Sequence, residues 1–151
     1  MRARRFADPT FVMPSRLGSV PAMAIDRAAL VAGSIRLASG IQFLVDPLRA
    51  NRLWGDPGEP TPTARLLLRS MGYRDALIGG LLAAAALRGK DTRGWFLASG
   101  GADAADLLGG ISVHQEMKRS QLIGLAGAVI GIGVGVWGAT RRPTGTGQAS
   151  D

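Results

Sequence analysis

"SQLIGLAGAVIGIGVGVWGA", residues 120–139, is the stretch of this chain that decides its fold. It contains no charged side chain, and its 20 residues would form a helix about 30 Å long, the thickness of the hydrocarbon layer of a bilayer. One face of that helix carries five glycines: Gly124, Gly127, Gly131, Gly135 and Gly138. Their spacing includes two G-x-x-x-G patterns, which are typical of closely packed membrane helices. The stretch therefore predicts a transmembrane helix with a tight helix contact.

The same run contains "GVGVWG", residues 133–138, which matches the G-x-G-x-x-G fingerprint of phosphate-binding turns. That fingerprint requires a strand before it and a helix after it. Here no strand pattern precedes it, and a basic segment broken by proline follows it. We therefore reject a nucleotide site.

The composition also favours a membrane protein. Of the 151 residues 46% are hydrophobic but only 5% are aromatic, and most of the 22 glycines lie inside the apolar runs, as in helices that pack closely in lipid. The chain has no cysteine, which excludes disulfides, thiolate metal sites and a cysteine nucleophile. The net charge of +7 comes from Lys and Arg at the edges of apolar segments, so anionic lipid head groups are a simpler partner than nucleic acid.

Three further segments extend this pattern to four predicted spans. The first, residues 28–45, is stopped by Asp46-Pro47, and the second starts between residues 64 and 72 and ends at Leu87. The third covers residues 94–113 and is the least apolar, because it contains Asp103 and Asp106. We predict an all-α integral membrane four-helix bundle over residues 28–139, with a basic cytoplasmic tail over 1–27 and a disordered tail over 140–151. A turn-rich loop separates the first two spans.

The basic residues predict the orientation of these spans. An even number of spans places both termini on one side of the membrane. The segments on that side hold ten Lys and Arg, whereas the two loops on the other side hold six, counting Arg65 and Arg69 outside the membrane. The positive-inside rule then puts both termini in the cytoplasm.

Charged residues near the middle of the first and third spans predict a polar cluster. Arg36 lies close to mid-depth in the first span, and Asp103 and Asp106 share one face of the third span with Ser99 and Gly110. Because an unpaired charge at that depth costs at least about 2.5 kcal/mol, we expect Arg36 to meet the two aspartates. We expect a buried ion pair that holds the helices together. The alternative is a site for a proton, an ion or a polar ligand.

The segment "SMGYRDALIGG", residues 70–80, adds a second arginine and a third aspartate. On a helical wheel Gly72 and Gly79 form part of a stripe of small residues, with Asp75 at its border and Arg74 nearly opposite. We expect Asp75 to face the protein and Arg74 to extend to the head groups. Alternatively, the membrane helix begins near Gly72, and Asp75 only occupies its first turn.

No residue set in the sequence makes a case for catalysis. His114 is the single histidine and follows the end of a predicted helix, so it predicts a solvated loop residue and not a metal ligand. No serine, histidine and acid have a credible spatial arrangement as a triad. We expect no metal and no cofactor. The sequence favours a non-enzymatic role and leaves enzymatic activity open.

The order of these features resembles the small bacterial four-helix membrane proteins grouped as domain of unknown function 4267, which are distantly similar to DoxX-like membrane proteins. The resemblance rests on the acidic third helix and on an arginine, glycine, arginine-aspartate, glycine arrangement formed by Arg69, Gly72, Arg74, Asp75 and Gly79. It implies an integral protein of the bacterial inner membrane with unassigned activity, and supplies no substrate.

The sequence favours the first of two functions that remain open. The first is a structural or accessory membrane protein whose partners are the lipid bilayer and a second copy of itself or another membrane protein. The second is a small transporter or membrane redox component in which Arg36, Asp103 and Asp106 contact a proton, an ion or a quinone-like ligand. Under the second, the acidic face should border a cavity that is reachable from one side, and under the first, arginine should fully occupy it with no cavity.

Overall fold

The computed structural model describes residues 25–53, 58–117 and 122–141, and these residues are helical with no strand among them. The helices are α1 (Arg27–Val45), α2 (Pro47–Leu53), α3 (Pro62–Leu87), α4 (Arg93–Ser112) and α5 (Leu122–Thr140), with a 3-10 turn at His114–Glu116. The predictions for the amino-terminal tail up to residue 24 and for the carboxyl tail from residue 142 lie outside the described residues.

Four of the five helices correspond to the four predicted segments. The ends of α1 and the end of α3 agree with the sequence, but α3 begins at Pro62, two residues before the earliest predicted start. The prediction missed α2, which lies in the expected loop. Asp46 explains it, because its carboxylate accepts a hydrogen bond from the amide of Arg49 at 2.9 Å and Pro47 suits the first helical position.

The helices pack as two antiparallel pairs, and the closer pair is α1 with α3. Gly33 lies opposite Gly79, and Gly40 lies opposite Gly72. A Cβ atom at Gly40 would lie 2.6 Å from the carbonyl oxygen of Gly72, so the two backbones are in direct contact. Gly72 and Gly79, both on the predicted packing stripe, are therefore at this contact.

The second pair is α4 with α5, which also contact each other through glycine. A Cβ atom at Gly135 would lie 2.6 Å from the Cα atom of Gly100, and one at Gly131 would collide with the carboxylate of Asp103. Gly127 lines a cavity that is described below. Gly131, Gly135 and Gly138 of the predicted glycine face thus lie against α4.

One end of the molecule is closed by polar side chains at the start of α1, the start of α4 and the end of α5. Asp26 accepts hydrogen bonds from the hydroxyl of Thr92, at 3.0 Å, and from Arg141. The guanidinium of Arg141 also stacks over Phe96 and Trp137, with 5.1 and 4.9 Å to the ring centroids. We call this the Asp26 end and the opposite one the Met117 end. The amino-terminal end of α1 and the carboxyl-terminal end of α5 therefore lie close together.

Two helices of the described residues, α1 and α5, are long and apolar enough to cross a membrane by length and composition. The helices α3 and α4 contain charged residues and are not apolar enough to be counted with them. Helix composition alone therefore supports fewer spans than the predicted four.

Candidate functional site

Arg36, at the midpoint of α1, forms the centre of a partly buried group of charged side chains. Its Nη1 and Nη2 atoms each donate to one oxygen of Asp103 at 2.8 Å, which is the two-point geometry that guanidinium and carboxylate groups favour. Nη2 also donates to Asp75 Oδ1 at 2.9 Å, and Nη1 donates to the hydroxyl of Ser99 at 2.6 Å. Arg36 thereby connects α1 to both α3 and α4.

Arg74 extends the group along α3 and α4. Its Nη1 and Nη2 atoms donate to the two oxygens of Asp106 at 2.9 and 2.6 Å, and its Nε donates to Asp75 Oδ1 at 3.2 Å. Because Asp75 accepts from both arginines, the five side chains form one connected set. We call Arg36, Arg74, Asp75, Asp103 and Asp106 the charge network.

Two details of the predicted cluster were wrong. Arg74 does not extend away from the bundle, and Asp106 pairs with Arg74 instead of Arg36. The reason is geometric: the residue three positions after Asp103 lies almost one turn further along α4, beyond the reach of Arg36 but opposite Arg74 on the antiparallel helix α3. The long arginine stem lets the guanidinium return to the interior although its Cα atom lies off the packing stripe.

The charge network is asymmetric in charge. Three carboxylates face two guanidinium groups, which gives a formal charge of −1, and arginine cannot lose its proton in a protein. The side chains of Arg36 and Asp103 are each only 13% exposed, whereas those of Arg74 and Asp106 are 32% and 30% exposed. The network therefore runs from a mostly covered centre at Arg36 and Asp103 to a more open edge at Asp106.

A cavity of about 400 Å³ adjoins the network, which is within the usual range for small-molecule sites. Asp75, Asp103 and Asp106 border it at mid-depth, and it extends to Asn51 and Met117 at the Met117 end. The remaining lining side chains are mainly apolar and come from both helix pairs. The cavity is partly open, in contrast to the closed Asp26 end.

Two other features singled out in the sequence lie outside the charge network. His114 is exposed in the 3-10 turn, where its Nδ1 atom lies 2.7 Å from the carbonyl oxygen of Ile111. Residues 133–138 continue the helix α5 and form no turn. Within the described residues no group of His, Cys, Asp and Glu is arranged to hold a metal ion.

Sequence reasoning missed the cluster at the Asp26 end. Burial acts to raise the pKa of Asp26, but hydrogen bonds from Arg141 and from the amide of Ala29 outweigh it and hold that pKa below its ordinary value. The sequence could have predicted only the local role of Asp26, since an aspartate immediately before an apolar run is a common helix cap. The contact with Arg141, 115 residues later, had no sequence signal.

The family model described as Domain of unknown function (DUF4267) matches residues 33–139, which is most of the chain. The chain belongs to the DUF4267 family. The matched region begins within α1 and ends near the end of α5, so it contains all five members of the charge network and the cavity lining. The DUF4267 description assigns no activity. No curated protein and no solved structure is significantly similar to the chain.

Proposed function

We propose that this DUF4267 protein crosses the membrane with its four long helices and that the cavity beside the charge network binds a small molecule, as in a small transporter. The observation that carries the proposal is the inverted distribution of side chains. Charged groups of the helix centres face inward and pair with one another, whereas large apolar side chains face outward.

The outward apolar side chains support a lipid environment for all four long helices. Exposed examples are Val31 and Ile35 on α1, Leu77 and Leu81 on α3, Leu97 and Leu108 on α4, and Val129 and Ile130 on α5. Only 22% of the most apolar 18-residue stretch of α1 and 11% of that of α5 is buried. The core helix of a water-soluble protein would be mostly buried. Such a surface suits hydrocarbon.

The pairing of charges explains how α3 and α4 could span a bilayer despite their composition. With 26 and 20 residues they are about 39 and 30 Å long, which is sufficient for the hydrocarbon layer. Ionisable residues in membrane segments characteristically face the bundle interior and pair with one another. The mean hydropathy of these helices depends on how many charged residues they contain and not on whether those charges are paired.

The cavity favours a ligand-binding role over a purely structural one. A network that only holds helices together needs no space beside it, yet here three aspartates border a cavity that reaches the Met117 end. The excess of Lys and Arg in the segments at the Asp26 end supports a cytoplasmic location for both termini. The cavity would then open on the opposite side of the membrane.

Fractionation and topology reporters test the membrane part of the proposal. The chain should remain in the membrane after carbonate extraction, because α5 alone is long and uncharged enough to insert. Reporters fused after Asp151 and within residues 56–63 should give signals from opposite sides of the membrane. Recovery in the soluble fraction would refute a membrane protein, and signals from the same side would refute four spans.

Single-cysteine labelling tests the cavity, because the natural chain has no cysteine. Gly109→Cys places a thiol in the cavity lining and Gly101→Cys places one on the outer face of the same helix, and a Cβ atom at either position meets nothing within 4 Å. A membrane-impermeant charged thiol reagent should label Gly109→Cys and leave Gly101→Cys unlabelled. An unreactive Gly109→Cys would show that the cavity does not connect to water, and equal labelling would show that α4 is not in lipid.

A further inference from the structure

The charged lining of the cavity has a single sign. Asp75, Asp103 and Asp106 border the cavity, but neither Arg36 nor Arg74 does. Both arginines instead donate hydrogen bonds to these carboxylates. A molecule in the cavity would therefore meet carboxylate oxygens and no positively charged group of the network.

One carboxylate oxygen at mid-depth has no partner within the described residues. Asp75 Oδ1 accepts hydrogen bonds from both arginines, whereas Oδ2 accepts none from the described part of the chain. Unlike Arg36 Nε, Asp75 Oδ2 is not fully enclosed by the protein, and Asp75 is one of the residues that line the cavity. Carboxylate oxygens only accept hydrogen bonds, so this position calls for a donor.

The charge of the network sets how much positive charge such a donor should carry. Three carboxylates and two guanidinium groups leave one negative charge unbalanced. In a region of low dielectric constant a single added positive charge neutralises the network, whereas an anion would increase the imbalance. The fitting ligand is therefore a monocation.

The rest of the cavity indicates that this monocation has an apolar body. Lining side chains between the aspartates and the Met117 end include Phe43, Leu68, Met71, Val113 and Leu125. A hydrated inorganic ion would gain nothing from these walls, whereas a hydrocarbon group would be removed from water by them.

We propose that the cavity binds a monovalent organic cation, with its ammonium group at Asp75 and Asp106 and its apolar body against the walls that lead to the Met117 end. This inference rests on the proposed ligand-binding function and specifies its ligand class. Asp106 is the more accessible carboxylate, since its side chain is 30% exposed compared with 17% for Asp75.

Three probes of similar shape and different charge test the proposal on the full chain in detergent. They are 2-phenylethylammonium, uncharged 2-phenylethanol and anionic 3-phenylpropionate, with binding measured by isothermal titration calorimetry. Hydrogen bonds to charged groups predict that the ammonium compound binds about tenfold to a hundredfold more tightly than the alcohol. We expect the anion to bind more weakly than the alcohol.

Asp106→Asn tests where the cation binds, because it keeps the side-chain shape and makes the charge network formally neutral. It should weaken binding of the ammonium probe about tenfold and leave the alcohol unchanged. Glu59→Gln is the matched control, since it removes an exposed acid outside the cavity and should change neither. If Asp106→Asn fails to fold, the comparison of the three probes on the natural chain still decides the ligand class.

The possible outcomes distinguish a failure of the proposed ligand class from a failure of the proposed ligand-binding function. Equal binding of cation and alcohol, preference for the anion, or an unchanged cation affinity in folded Asp106→Asn would overturn the inference. If none of the three probes binds, the inference also fails. In all these cases labelling of Gly109→Cys but not of Gly101→Cys would still support a ligand cavity in the membrane.

Discussion

Replacing Gly40 by alanine should separate α1 from α3, because the backbones of these helices touch at this point. A Cβ atom at Gly40 would lie 2.6 Å from the carbonyl oxygen of Gly72 and 2.8 Å from the Cα atom of Ala76. Favourable carbon contacts lie at about 3.5 to 4.0 Å, so the helices must move apart by about 1 Å. Both colliding groups are backbone atoms, which cannot rotate away as a side chain does.

The energetic cost follows from two opposing effects. Overpacking typically costs about 1 to 3 kcal/mol, and the upper value applies here because the separation also weakens neighbouring contacts along the two helices. Alanine recovers up to about 1 kcal/mol of helix propensity relative to glycine. We therefore expect Gly40→Ala to lower the free energy of unfolding by about 2 kcal/mol.

The assay is unfolding of the full chain, purified in a mild detergent, by increasing SDS, followed by far-ultraviolet circular dichroism. Gly101→Ala is the control, because its Cβ atom meets nothing within 4 Å and only the gain in helix propensity remains. Ala76→Gly should not rescue Gly40→Ala, since the collision is with backbone atoms of residue 76. Equal stability of Gly40→Ala and the natural chain would refute direct backbone contact between α1 and α3.

Two further predictions concern the polar clusters. In the same assay Asp103→Asn should lower the free energy of unfolding by about 3 to 5 kcal/mol, because Arg36 stays charged and buried. Adding Arg36→Met should recover most of that loss. An Asp103→Asn variant as stable as the natural chain would contradict a buried pair. Because the folded pKa of Asp26 lies below its ordinary value, its carboxylate stabilises the chain above about pH 4 and this contribution is lost as pH falls through the lower folded pKa. Arg141→Met should reduce that loss in SDS titrations repeated at several pH values, and an unchanged pH profile would count against the role of the Arg141 contact.

Much of what the sequence predicted about the fold came from the composition of α5. Charge-free length and a glycine spacing of four residues are local properties, because one helical turn places such residues on one face regardless of the rest of the chain. The same holds for α1 and for the glycine stripe of α3. The short helix α2 was missed although its signal, Asp46 followed by proline, was also local.

The sequence by itself determined that the four long helices form and which of their residues share a helical face. It placed Arg36, Asp103 and Asp106 at similar depth, since depth follows from counting residues along each span.

Only the tertiary structure decided which charges pair and where space remains between the helices. Pairing depends on the rotation and offset of neighbouring helices, and the flexible stem of Arg74 brings its guanidinium to Asp106 although helical periodicity points it elsewhere. The cavity is likewise a property of two helix pairs that touch closely within each pair and less closely between them. No single segment encodes that difference, because it arises where the side chains of five separate elements meet.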